Sequence, residues 1–204
     1  MPPTKRKTNY ANAMAEARQQ YYKLEGTPSV FFNGKAEAGG GGGSSAAPKK
    51  FQEYQKVVDA ALDTPPGVKL DLGVTRAGDN LTAQVKVANL AKPGPKTRLR
   101  VFITEEFVRY RGSNGLRFHH SVVRGALGPA DGTALAAPSS NHSFTIELGE
   151  LRKSLTAYLE QYRKENPEVT FVEKPLKLAR LRVVAFVQDD ATQEVLQVGQ
   201  AEVK

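Results

Sequence analysis

The 204-residue sequence contains no cysteine. That absence excludes disulfide staples, thiol nucleophiles and cysteine-ligated metal, and leaves the compartment open. No apolar run is long enough to span a bilayer, so no membrane insertion is expected. Residues Met1 to Tyr10 are basic and polar with no apolar stretch behind them, so no signal peptide is expected in the sequence as written. A hydrophobic content of 40% and a charged content of 25% argue against wholesale disorder. The net charge of +8 is spread over the chain, which reads as a solvated surface. One stretch departs from that spread: Arg98 to Arg124 holds Arg98, Arg100, Arg109, Arg111, Arg117 and Arg124 against only Glu105 and Glu106.

Two rhythms divide the chain. Thr8 to Lys23 is Ala-rich, with Ala11, Met14, Ala15, Arg18 and Tyr22 at helical spacing. Ser29 to Asn33 predicts a short buried strand. Asn33-Gly34 predicts a tight hairpin, with Lys35 to Ala38 returning. Gly39 to Ser45 is a glycine-serine loop without the Gly-Lys-Ser/Thr ending of a phosphate-binding loop. Pro48 to Leu62 predicts a helix with Phe51, Tyr54, Val57, Val58 and Ala61 on one face. Thr64-Pro65-Pro66-Gly67 is a stiff break.

From Val68 the period changes to two. Strands are predicted at Val68 to Val74, Leu81 to Val87 and Arg98 to Thr104. A hairpin is expected from Phe107 to Arg111 and Leu116 to Leu127, and further strands at Ser143 to Leu148, Lys177 to Gln188 and Glu194 to Val203. Gly128 to Ser140 reads as a small-residue loop, and Asp189 to Thr192 as a turn. Glu150 to Lys164 interrupts the β rhythm with a helix whose stripe of Leu151, Leu155, Tyr158, Leu159 and Tyr162 reads as core. On the strand from Leu116 to Arg124, the set Leu116, Phe118, His120 and Val122 is the more apolar and is expected to face inward.

Gly26-Thr27-Pro28-Ser29-Val30-Phe31-Phe32-Asn33-Gly34, with the amphipathic helix after it, resembles the cis-proline segment and C-terminal portion of the thioredoxin fold. The resemblance covers about Thr8 to Leu62. It implies a cis bond at Thr27-Pro28, with Thr27 and Pro28 as the remnant of a substrate groove, and a Cys-x-x-Cys that would lie before Thr8. Three explanations of the missing half stand open: a fragment with a mis-called start, a remnant docked on the β-rich part, or strands supplied by another chain. The fragment is the favoured one. Tyr110 to His120 and Val183 to Asp190 resemble the β-rich domain appended to thioredoxin-like domains in uncharacterised bacterial proteins. That resemblance implies architecture and little chemistry.

The expected fold is therefore α+β: a truncated thioredoxin-like αββα segment over residues 1–63, a linker at 64–66, and an antiparallel Ig-like or fibronectin-like β-sandwich with one inserted helix over 67–204. No catalytic residue, cofactor or metal is assigned. His119 and His120 are strand neighbours that point to opposite faces, and His142 lies far along the chain. Ser121, Ser139 and Ser140 lack a nucleophile-elbow pattern. The expected function is non-catalytic binding or structural work, redox-inactive as written, with a protein client or partner. An intact parent would be a thiol-disulfide oxidoreductase of the cell envelope or secreted space. A third class is a polyanion-binding module, with Arg109, Arg111, Arg117 and Arg124 as contacts beside Tyr110 and Phe118. No nucleic-acid fold motif is recognised and solvated strand faces explain the arginines more simply, so nucleic acid is not the expected partner.

Overall fold

A computed structural model describes residues 13–26, 28–36, 43–111, 115–169, 171 and 176–204. Thr27, and with it the Thr27-Pro28 bond, lies outside the described residues, as does the glycine run from 39 to 42. Helix α1 covers Ala13–Tyr21. Strands β1 (Phe31–Phe32) and β2 (Lys35–Ala36) form the expected hairpin, with Asn33 at φ 48° and Gly34 at φ 80°. Two successive positive φ values are what a two-residue Asn-Gly turn requires.

Helix α2 covers Ala47–Leu62 with Pro48 in its first turn, where a missing N–H costs nothing. The apolar face that the sequence predicts is present but stays uncovered. None of its residues is buried; Phe51 is 67% and Leu62 77% exposed. Tyr54 alone finds an aromatic neighbour, Phe32, at 5.3 Å.

The rest is a mixed fold of antiparallel sheets with one helix. Strands β3 (Lys69–Ala77), β4 (Asn80–Ala88) and β8 (Ser140–Glu147) form one sheet in the order β3-β4-β8. Strands β5 (Gly94–Arg109), β6 (Phe118–Ala126), β9 (Leu181–Asp189) and β10 (Val195–Glu202) form the second in the order β10-β9-β5-β6, with β7 (Thr133–Leu135) also paired to β5. Period-two alternation puts Leu81, Ala83, Val85 and Val87 of β4 against Leu99, Val101 and Ile103 of β5 and Val183, Ala185 and Val187 of β9. The sheets meet at one edge, where Gln197 Nε2 donates to the Val68 carbonyl at 3.1 Å and Gly199 lies against Leu70.

Helix α3 (Leu148–Glu165) follows β8 directly. Glu147 caps it, its carboxylate accepting from the N–H groups of Gly149 and Glu150 at 2.8 and 2.7 Å. Leu151, Leu155 and Leu159 join the core as the stripe predicts.

Three boundaries differ from the sequence reading. Arg98 to Thr104 and Phe107 to Arg109 lie in one unbroken 16-residue strand, Gly94–Arg109, because Glu105 and Glu106 both find cationic partners and need no loop; Tyr110 and Arg111 fall beyond its end. The small-residue loop holds β7, hydrogen-bonded to β5. Strand β9 begins at Leu181 rather than Lys177, since Leu178 and Arg180 sit at φ 50°, outside extended backbone.

Candidate functional site

The described portion of the N-terminal segment docks on the outer face of the larger sheet. There β5 and β9 present Arg100, Phe102 and Gln188, all buried. Arg18 of α1 donates to Gln188 Oε1 at 3.0 Å and to the Tyr22 hydroxyl at 2.6 Å. The Tyr21 hydroxyl donates to Asp190 Oδ1 at 2.9 Å. Two guanidinium groups lie over the Tyr21 ring, with the Arg18 carbon 4.3 Å and the Arg100 carbon 5.1 Å from its centre. Asp190 also pairs with Arg100 at 2.9 Å and Arg98 at 3.2 Å. Burial, then the Asp190 contact, pushes the Tyr21 hydroxyl well above its ordinary range, and burial lowers Arg18. The hairpin completes the dock: Val195 N–H donates to the Asn33 carbonyl at 2.8 Å, and Lys35 pairs with Glu194 at 3.6 Å. Asp190, read from sequence as a turn residue, is thus the anionic centre of this dock. No local signal marks it, because its partners lie about 90 to 170 residues away.

The arginines singled out in sequence go to different places. Arg124 is buried and bonds Glu105, with Nη2 and Nε 2.6 and 2.8 Å from Oε2. It therefore lies inside, not among surface contacts for a polyanion. The cause is a bulge: Ile103 pairs with Gly125 but Thr104 with Val123, leaving Arg124 as the extra residue of β6, aimed at Glu105. Arg98 and Arg100 are occupied by the acidic groups of the dock. Arg109, Arg111 and Arg117 remain exposed at the far end of the β5–β6 hairpin.

That end is covered on one side only. Val108 is 2% exposed, and His119 turns to the Tyr110 carbonyl, Nε2 to O 3.0 Å. Tyr110 lies near Phe171, and burial raises its hydroxyl pKa. The other side is open. It carries Phe107 opposite His120 and Arg109 opposite Phe118. Phe107 is 40% and Phe118 48% exposed; their rings stack at 4.9 Å, and His120 meets Phe107 edge-on at 5.1 Å. The expectation that Phe118 and His120 face the core is overturned. The core ends near the Glu105–Arg124 pair, and beyond it the buried side is that of Val108 and His119. Hydrophobicity alone put Phe118 inside; nothing local reveals that the hairpin outruns the opposing sheet.

A second concavity of about 590 Å³ lies on the smaller sheet, lined by residues including Asp71, Gln84, Lys86, Asn141 and Ser143. His142, which also lines it, bonds Ser140 Oγ at 2.8 Å and stacks on Phe144; burial lowers its pKa. Among the described residues, no group of three or more His, Asp or Glu side chains is placed to hold a metal, and no helix is long and apolar enough to cross a membrane. Pro28 is exposed.

No protein-family model and no curated protein matches the chain. Among solved structures it is similar to a selenomethionine-labelled β-glucosidase from Kluyveromyces marxianus, with 12% identity over 68% of this chain and a TM-score of 0.28. It is likewise similar to that organism's β-glucosidase in complex with glucose, with 14% identity over 68% of this chain and a TM-score of 0.27. The chain spans 14% of the length of either structure.

Proposed function

We propose that this chain is a non-catalytic binding protein that engages a polyanionic partner through the open side of the β5–β6 hairpin. The observation that carries the reading is the pairing of Phe107 with His120 and of Arg109 with Phe118 on an uncovered face. A contiguous exposed aromatic patch is a mark of an interaction site. Arg109, Arg111 and Arg117 have no ionic partner among the described residues, whereas nearby Glu105 and Glu106 are taken by Arg124 and Arg182. Among the described residues, the hairpin end is therefore net positive, each nearby carboxylate having a cationic partner.

Within this reading the N-terminal segment is of thioredoxin-like descent and the remainder an Ig-like or fibronectin-like sandwich. The Asn33-Gly34 hairpin followed by α2 supports the first, and the two antiparallel sheets support the second. The chain has no thiol for exchange chemistry.

Heparin titration tests the proposal. Binding should weaken steeply with salt, and the triple variant Arg109→Gln, Arg111→Gln, Arg117→Gln should lose most of it. Absence of binding at low salt, or a triple variant that binds as well as the parent, would refute the reading.

A second reading makes the chain the distal portion of a thiol-disulfide oxidoreductase. The uncovered apolar face of α2, with Phe51, Val58 and Leu62 outward, favours it. Sequencing the DNA upstream of Met1 tests it: an in-frame Cys-x-x-Cys supports this reading, and a stop codon without one removes it.

A further inference from the structure

We infer that the polyanion taken by the hairpin is single-stranded nucleic acid, with bases laid on Phe107 and Phe118 and phosphates paired to Arg109 on the same face, while Arg111 and Arg117, exposed at the hairpin end, add positive charge beside it. This rests on the polyanion reading and narrows it. Charge alone does not separate a sulfated polysaccharide, a duplex and a single strand; the aromatic rings do. A polysaccharide offers no flat aromatic face, and a duplex keeps its base faces inside the stack. Only an unpaired strand presents planar rings and anions in alternation.

The hairpin face alternates in the same way. Phe107 and Arg109 are two residues apart on one strand, about 6.6 Å at the usual rise per residue. Across the ladder, Arg109 faces Phe118 and Phe107 faces His120. An aromatic group and a cation-capable group therefore neighbour one another along the strand and across it. The two phenyl rings stack on each other at 4.9 Å with 29° between their planes, which leaves the outer faces of the stack for bases, and His120 packs at a steep angle to Phe107. Leu116, 57% exposed, widens the apolar surface toward the hairpin end. Among the described residues, the face holds no exposed Asn, Gln or acidic side chain to read base edges, and Arg109 is given to phosphate. Recognition through it is by stacking and charge, which tolerates any sequence.

The test uses the full chain and four probes: a fluorescent mixed-sequence single strand, its duplex, the RNA form of the strand, and heparin as competitor. The single strands should bind at least about tenfold more tightly than the duplex. Phe107→Leu and Phe118→Leu should each weaken single-strand binding about five- to tenfold and weaken heparin binding by a clearly smaller factor, whereas Arg109→Gln should weaken both alike. Circular-dichroism melts establish that each variant is folded. As an independent measurement on the unmutated chain, a 5-bromouracil strand should photocrosslink to the peptide carrying Phe107 or Phe118. Equal affinity for single strand and duplex, heparin binding without nucleic-acid binding, or a Phe107→Leu/Phe118→Leu double variant that binds single strands normally would overturn the inference and leave the polyanion reading standing. Binding of none of the four probes would remove both.

Discussion

The Arg124 guanidinium meets the Glu105 carboxylate at 2.6 Å inside the molecule, where the two side chains are 4% and 1% exposed. The second carboxylate oxygen accepts from the Ala179 N–H at 3.0 Å, so the pair also fixes the irregular segment that leads into β9. Removing one partner strands a buried charge. Glu105→Gln or Arg124→Met should each cost about 3–5 kcal/mol, while Glu105→Leu with Arg124→Met should cost far less than the two losses together. Urea melts of the three variants measure this; additive losses would show that the charges are not coupled.

The two adjacent histidines should behave oppositely. His119 bonds the Tyr110 carbonyl on the covered side, so His119→Ala should destabilise by about 1–2 kcal/mol. His120 lies on the open face, so His120→Ala should fall within about 0.5 kcal/mol of the parent. Thermal or urea melts decide between them, and a costlier His120 variant would reverse the assignment of sides.

Gly34 is held at φ 80°, and a Cβ there would sit 1.8 Å from the Gln193 carbonyl oxygen. Gly34→Ala should therefore lift the β1–β2 hairpin from β10 while leaving the two sheets intact. Limited proteolysis should cut near residues 29–36 faster, and the main melting transition should move little. A piece covering Val68 to Lys204 should likewise melt cooperatively, since its core draws on neither α1 nor α2. Loss of that transition in the piece would show the dock to belong to the core.

His142 gives a pH signature. Burial holds its imidazole below the ordinary value, so the unfolded chain takes up this proton first as pH falls. Its contribution to stability is whole above about pH 6.5 and is lost as pH falls from there through the lower folded value. His142→Gln should flatten some of the decline in melting temperature between about pH 7 and pH 5. An unchanged slope would show that this group does not titrate differently on folding.

The strands were legible where residues alternate strictly, as at Leu81 to Val87, and α3 where leucines recur at helical spacing, because burial on one face imposes the period. Asn33-Gly34 announced its turn, since few other pairs accept two positive φ values. What was not legible depended on where elements end relative to one another. Phe118 and Phe51 are apolar at regular spacing, yet each lies where no opposing element reaches. Arg124 was grouped with surface arginines because the bulge that turns it inward is a property of the pairing, not of the residues around it. Asp190 is the turn residue that the sequence predicts, but its role in the dock is not legible there, for its three partners come from remote segments.

Strand β5 has a mechanical consequence. It runs unbroken for 16 residues, about 50 Å, with β9 paired along one edge from Thr97 to Glu105, and with β7 and then β6 paired along the other from Gly94 to Arg109. Arg109, at one end, faces the open hairpin; Arg98 and Arg100, toward the other, grip Asp190. Tension applied to the hairpin by a tethered partner is carried down a single backbone, and the flanking hydrogen bonds must slide past one another together rather than break singly. Pulling on the tip therefore loads the ladders in shear, the direction in which a sheet gives way last.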